Sequence, residues 1–233
     1  MGTPDTIPRM RVVVAGGHGA IGLRLLRLLA ATGHEPVGLI RNPDHASDLL
    51  AAGAEPVQLD LESASLDTVA AALRGADVVV FAAGAGPGSG AARKLTVDRD
   101  GAVLLADAAA AAGIRRYLLV SSLGAVEPEP GDDLPAPEDV IDDDVFAVYL
   151  RAKGAADAVV ASRDLDWVVL RPGHLTDDPG TGRVRLAPAV DRGSVSRDDV
   201  AAVLLALAVA PVTRRTVELV AGDTPIDEAV AAL

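Results

Sequence analysis

A chain of 233 residues is long enough for one large α/β domain around a sizeable core. Half of its residues are hydrophobic but only five are aromatic (two Phe, two Tyr, one Trp), so Ala, Val and Leu must fill that core. A net charge of −12 argues against nucleic acid or an anionic membrane as partner, and the lack of cysteine excludes disulfides and thiolate chemistry and suits a reducing cytoplasm.

The first nine residues read as a short polar lead rather than a signal peptide. Val12, Val13 and Val14 then form an apolar β-branched run, the mark of a buried parallel strand. Gly16, Gly19 and Gly22 follow in G-x-x-G-x-x-G spacing, and residues 21–29 read as an amphipathic helix. Strand, glycine turn and helix predict a dinucleotide-binding unit. Gly16 allows the sharp turn, Gly19 lets a pyrophosphate approach the backbone, and Gly22 lets helix and strand pack closely. The helix N-terminus, at Ala20 and Ile21, offers free N–H groups to the phosphates, and His18 inside the turn offers backbone more than imidazole.

The alternation continues. Strands are expected over 36–40, 56–59, 77–82 and 116–120, and helices over 44–52, 66–73 and 91–112, the helices closed by Gly53, Gly75 and Gly113. Residues 83–90 form a Gly/Ala-rich loop. Residues 123–144 break the rhythm with nine acidic residues and no basic one, and suggest a mobile, solvated loop over the sheet edge. A helix over 145–162 and a strand over 167–170 restore the pattern. Beyond it come a short strand at 184–186, an N-cap at Ser196, a helix over 200–210, a strand over 216–220 and a helix over 226–233. The longest apolar run, 201–210, is too short to span a bilayer. These elements predict a Rossmann-type, doubly wound parallel sheet in a single domain, 1–233, with a core over about 10–173 and a small C-terminal substrate-side lobe over about 174–233.

Arg41 stands at the end of the second strand, nineteen residues after Gly22, where such folds meet the adenosine ribose. An acid there would take a free 2′-hydroxyl. Arginine instead pairs with a 2′-phosphate, so NADP(H) is favoured over NAD(H), with Asn42 beside it. Asp60 and Leu61 are expected at the adenine, while Ala82, Ala83 and Gly84 leave room for the cofactor to cross the sheet edge. Tyr149 and Lys153, at i and i+4, share one helix face. A nearby ammonium favours the phenolate and makes the phenol a usable proton donor or acceptor. Of 21 basic residues only Lys94 and Lys153 are lysines, which sharpens the pair. Ser121 and Ser122 end the fifth strand, where one could orient a substrate carbonyl. His174 and the preceding Pro172 and Gly173 follow the sixth strand. The pattern contains no metal site.

These residues together resemble the short-chain dehydrogenase/reductase superfamily, in particular its atypical NAD(P)H-binding branch of NmrA-like and biliverdin-reductase-B-like proteins. The resemblance rests on GGHGAIG (16–22), LIRNP (39–43), LDL (59–61), the run 97–122, YLRAKGAAD (149–157), LRPG (170–173) and SRDDVA (196–201). It implies a Rossmann core with NADP(H), Tyr149 and Lys153 as the acid/base pair, Lys153 also on the nicotinamide ribose, and Ser122 orienting the carbonyl. Two positions depart from the family pattern: Leu123 where the strand-end Ser or Thr is usual, and Asp98 where the long helix carries asparagine. The expected function is an NADP(H)-binding oxidoreductase acting on a small carbonyl, alcohol or sugar-nucleotide-like substrate, cytoplasmic, as a monomer or homodimer. The alternative, suggested by Leu123 and the acidic stretch, is a non-catalytic NADP(H) redox sensor working through a protein partner.

Overall fold

The structure is a computed structural model describing residues 9–86, 88–129, 136–137 and 144–233. Its first half alternates as the spacing predicts: β1 (Arg11–Ala15), α1 (Ala20–Ala31), β2 (Glu35–Ile40), α2 (Ala46–Ala51), β3 (Glu55–Gln58), α3 (Leu66–Ala72) and β4 (Val78–Phe81). Then follow α4 (Gly90–Arg93), a π-helical segment (Lys94–Gly101), α5 (Ala102–Ala111), β5 (Arg116–Val120), α6 (Val145–Ala161) and β6 (Asp166–Pro172). The last third adds β7 (His174–Thr176), β8 (Arg183–Ala187), β9 (Ser194–Ser196), α7 (Arg197–Val209), β10 (Arg215–Ala221), β11 (Thr224–Pro225) and α8 (Ile226–Ala231).

Nine strands form one sheet in the order β11-β8-β10-β6-β5-β4-β1-β2-β3. From β3 through β10 every pairing is parallel, and only the β10–β8 and β8–β11 pairings are antiparallel. Strand β1 shows why both faces must be covered. Val12 and Val14 pack with Leu25 of α1 and Leu204 of α7, while Val13 and Ala15 pack with Val69 of α3 and Leu105 of α5. All four β1 residues are fully buried. Successive side chains on one strand therefore feed two separate cores, as a doubly wound sheet requires.

The C-terminal third joins this sheet through β10, which pairs with β6, and through α7, which packs along α1. Ser196 caps α7 by accepting from Asp199 N at 3.0 Å, as its sequence predicts. Strands β7 and β9 form a small separate parallel pair. Both have three residues and β11 has two, too few for a periodicity to show.

The helix expected over 91–112 is not uniform. Its stretch Lys94–Gly101 is π-helical, and Lys94 and Asp98 on it are buried. Apolar periodicity cannot tell a π turn from an α turn, and such turns gather at functional sites. The acidic stretch 123–144 lies largely outside the described residues. Its start is held against α6: Val126 N donates to Leu150 O, and a Cβ at Gly154 would overlap the Val126 carbonyl. Asp144 caps α6, accepting from Ala147 N at 3.0 Å.

Candidate functional site

The sheet reverses direction of growth between β1 and β4, and α/β ligands bind at such a switch point. Gly16 adopts a positive φ of 82° there, and a Cβ on it would lie 2.7 Å from the Ala83 backbone. A Cβ on Gly22 would overlap the Gly16 carbonyl, so α1 sits directly on the turn. Gly19 caps α1 without a side chain, and its first turn carries no acid. The start of α1 therefore presents N–H donors that no carboxylate covers. Backbone this close, with its donors bare, fits a pyrophosphate.

A cavity of about 320 Å³ opens at this point. Gly16, His18 and Gly19 line it from the turn, Arg41 and Asn42 from the end of β2, Asp60, Leu61 and Glu62 from beyond β3, and Ala82, Ala83 and Gly84 from beyond β4. Ten of the expected cofactor residues thus come together. Ala20 and Ile21 follow as the first residues of α1. Pro172 and Gly173 stand at the end of β6, outside the cavity lining.

Several of these groups already have work in the protein. The His18 imidazole lies 2.7 Å from Asp48 Oδ2 and stacks on His45 with ring centroids 3.7 Å apart, so its ring is engaged within the protein. Asn42 Oδ1 accepts from Asp44 N at 3.1 Å, and Asp60 Oδ1 accepts from Glu62 N at 3.0 Å. Glu62 and Arg93 were not singled out by the sequence. The Glu62 carboxylate accepts from Arg93 at 2.6 Å, Thr96 at 2.7 Å and Arg41 at 3.1 Å. The Arg93 hydrogen bond, with help from Thr96 and Arg41, holds the Glu62 carboxyl below the usual carboxylate range, against partial burial.

Tyr149 and Lys153 lie on α6, with the Lys153 Nζ 5.9 Å from the Tyr149 ring centroid. Lys153 is 4% exposed; it donates to Val120 O at 3.0 Å and pairs with Asp98 Oδ1 at 3.1 Å. Asp98 Oδ2 accepts from Ala85 N at 3.1 Å, and Ala85 lines the cavity. The residue that departs from the family pattern thus joins the cavity wall to the lysine. Lys94 Nζ sits 5.7 Å from the same ring and donates to Gly86 O at 2.6 Å. Both lysines of the chain flank Tyr149.

The two serines separate in role. Ser121 Oγ is buried and donates to Asp157 Oδ2 at 2.8 Å, and the same oxygen accepts from Arg171 Nε at 2.8 Å. Burial pushes the Asp157 carboxyl above its ordinary value, although Arg171 and Ser121 pull the other way. Ser122 is half-buried, and its hydroxyl makes a long contact to Leu123 O, 3.3 Å, among the described residues. Among the described residues no cluster of His, Asp or Glu is arranged to hold a metal, and no helix is long and apolar enough to cross a membrane.

A parallel sheet in this order, with a glycine cradle at its switch point, defines a Rossmann-type dinucleotide-binding protein. Residues 16–211 match the NAD(P)H-binding family model, and the chain belongs to that family. It is 38% identical to YhfK of Bacillus subtilis, named an uncharacterized sugar epimerase, over 96% of this chain and all of that one. Among solved structures it is similar to a Bacillus halodurans protein carrying the name NAD-dependent epimerase/dehydratase (35% identity, TM-score 0.84, covering 96% of this chain and 100% of the other). It is also similar to ChuY of Escherichia coli O157:H7, named an anaerobilin reductase (28% identity, TM-score 0.73, covering 91% and 98%).

Proposed function

We propose that the chain is an NADP(H)-dependent oxidoreductase acting on a small carbonyl, alcohol or sugar-nucleotide-like substrate. The observation that carries this reading is the continuous contact from cavity to tyrosine: Ala85 N to Asp98, Asp98 to Lys153, and Lys153 beside the Tyr149 ring. A dinucleotide, when bound, supplies or accepts the hydride. Gly16, Gly19, Ala20 and Ile21 would hold its pyrophosphate, Asp60 and Leu61 its adenine, and Arg41 its 2′-phosphate. Tyr149 gives or takes the proton at its phenol oxygen. Lys153, fixed by Val120 O and Asp98, holds its Nζ beside the Tyr149 ring. Ser122 is the serine whose hydroxyl is left to orient a substrate oxygen, since Ser121 is committed to Asp157. The names of the relatives, an epimerase and a reductase, do not favour the non-catalytic sensor. We place the chain in a cytoplasm, as monomer or homodimer.

The test is a carbonyl and sugar-nucleotide screen followed by NADPH absorbance, with Tyr149→Phe alongside. Turnover should fall by at least about 100-fold in the variant while NADPH binding is kept. Undiminished turnover in Tyr149→Phe would remove the tyrosine from the chemistry. In parallel, Arg41→Ala should weaken NADPH binding and spare NADH.

A further inference from the structure

The proposed function leaves idle the most heavily liganded side chain on the cavity wall, Glu62. Its carboxylate stands between two guanidiniums from different elements, Arg41 at the end of β2 and Arg93 on α4, with the Thr96 hydroxyl as third donor. All three residues Arg41, Glu62 and Arg93 line the cavity. The arginine side chains remain 57% and 37% exposed, so each keeps donors on its open side, whereas Glu62 is 25% exposed and held between them. Two guanidiniums converging on anionic oxygens is also how a phosphate monoester is bound. The carboxylate therefore satisfies, from inside the protein, the two cations nearest the ribose end of the cavity.

We propose that Arg93 reads the cofactor's 2′-phosphate together with Arg41, and that Glu62 is an internal competitor for both arginines that sets cofactor specificity. This rests on the NADP(H) reading above. A 2′-phosphate carries up to two negative charges near neutral pH and a carboxylate only one, so the arginines gain by exchanging Glu62 for the phosphate. A free 2′-hydroxyl has no charge to offer, and with NADH the arginines stay on Glu62. Removal of the Glu62 charge leaves two cations without an anion and strengthens their pull on the phosphate. Removal of Arg93 takes away one of the two readers and leaves Arg41 more firmly on Glu62.

The experiment is a calorimetric titration of NADPH and of NADH into the full-length wild type, Glu62→Gln and Arg93→Ala. Arg93→Ala should bind NADPH about tenfold more weakly, and Glu62→Gln about threefold to tenfold more tightly, with NADH affinity unchanged in both. The NADH titration doubles as the check that each variant is folded, and Arg93→Lys, which keeps the charge, should recover part of the loss. If the wild type prefers NADPH but neither variant changes the ratio, or Glu62→Gln lowers it, the competitor mechanism is overturned while the NADP(H) reading stands. If the wild type binds both nucleotides equally, the NADP(H) reading itself fails, and the mechanism with it.

Discussion

On the cavity wall beyond β2 and β3, Arg41, Arg93 and Glu62 meet where water still reaches them, whereas across β5 the pairs Lys153–Asp98 and Arg171–Asp157 are sealed. Lys153, Asp98 and Asp157 side chains are each 5% exposed or less. Exposed pairs are worth little and exchange partners at small cost, which suits a place where a ligand's charge must come and go. Buried pairs are costly to break because the surviving charge is left in low dielectric. One end of the site is therefore built to change partners, and the other to hold a lysine and a strand end in one position.

The sharpest way to break this comparison is to remove one buried partner. Asp157→Ala takes from the Arg171 guanidinium its buried counter-charge, leaving only the exposed Glu127, also at 2.8 Å, and strips Ser121 Oγ of its acceptor. It should cost about 3 kcal/mol, or roughly 10 °C of melting temperature, in a thermal scan. A variant that melts with the wild type would mean that the sealed end is no stiffer than the open one. Gly22→Ala comes next. Its Cβ overlaps the Gly16 carbonyl, which is backbone and cannot swing aside, so α1 must lift from the turn. About 2 kcal/mol of stability should be lost, together with nucleotide binding, and calorimetry with NADPH reads the second effect directly. Retained binding would show that the cradle tolerates a wider gap than its glycine spacing implies.

The same contrast explains what could be read from the sequence. The glycine cradle, its strand and its helix are local: Gly16, Gly19 and Gly22, within seven residues, state the turn, and Val12, Val13 and Val14 state the burial. Arg41's place on the cavity wall is legible because it directly follows the second strand, and Tyr149 with Lys153 because i and i+4 meet on a helix. Asp98 and Lys153, by contrast, are fifty-five positions apart, and no periodicity connects them. Glu62 and Arg93 escape for the same reason: one follows β3, the other ends α4, and only the closed sheet brings them to one cavity. The π segment escapes because apolar spacing over 91–112 fits a plain helix, and the burial of Lys94 and Asp98 within it shows only in the fold. The C-terminal third was legible in its longer elements but not in its pairing. Nothing local states that β10 lies beside β6.

The smallest effect sharpens the comparison through pH. Burial raises the Asp157 carboxyl above its ordinary value of 3.8, with Arg171, Ser121 and Lys153 opposing. A group of this kind keeps its proton in the folded chain after the unfolded chain has lost it, so its contribution to stability is full below the unfolded value and is lost as pH rises through the folded one. Glu62 has the opposite sign. Its carboxyl is held low by Arg93, so its contribution is present above the ordinary range and is lost as pH falls. Asp157→Asn keeps an acceptor for Ser121 but removes the titration. Between about pH 4 and pH 7 the wild type should therefore gain less stability, or lose more, than Asp157→Asn, while Glu62→Gln should differ from the wild type in the other direction. Melting temperatures across that range decide it. Parallel curves for wild type and Asp157→Asn would show Asp157 ionised throughout, and the sealed end would then hold a charge at no cost that pH can reveal.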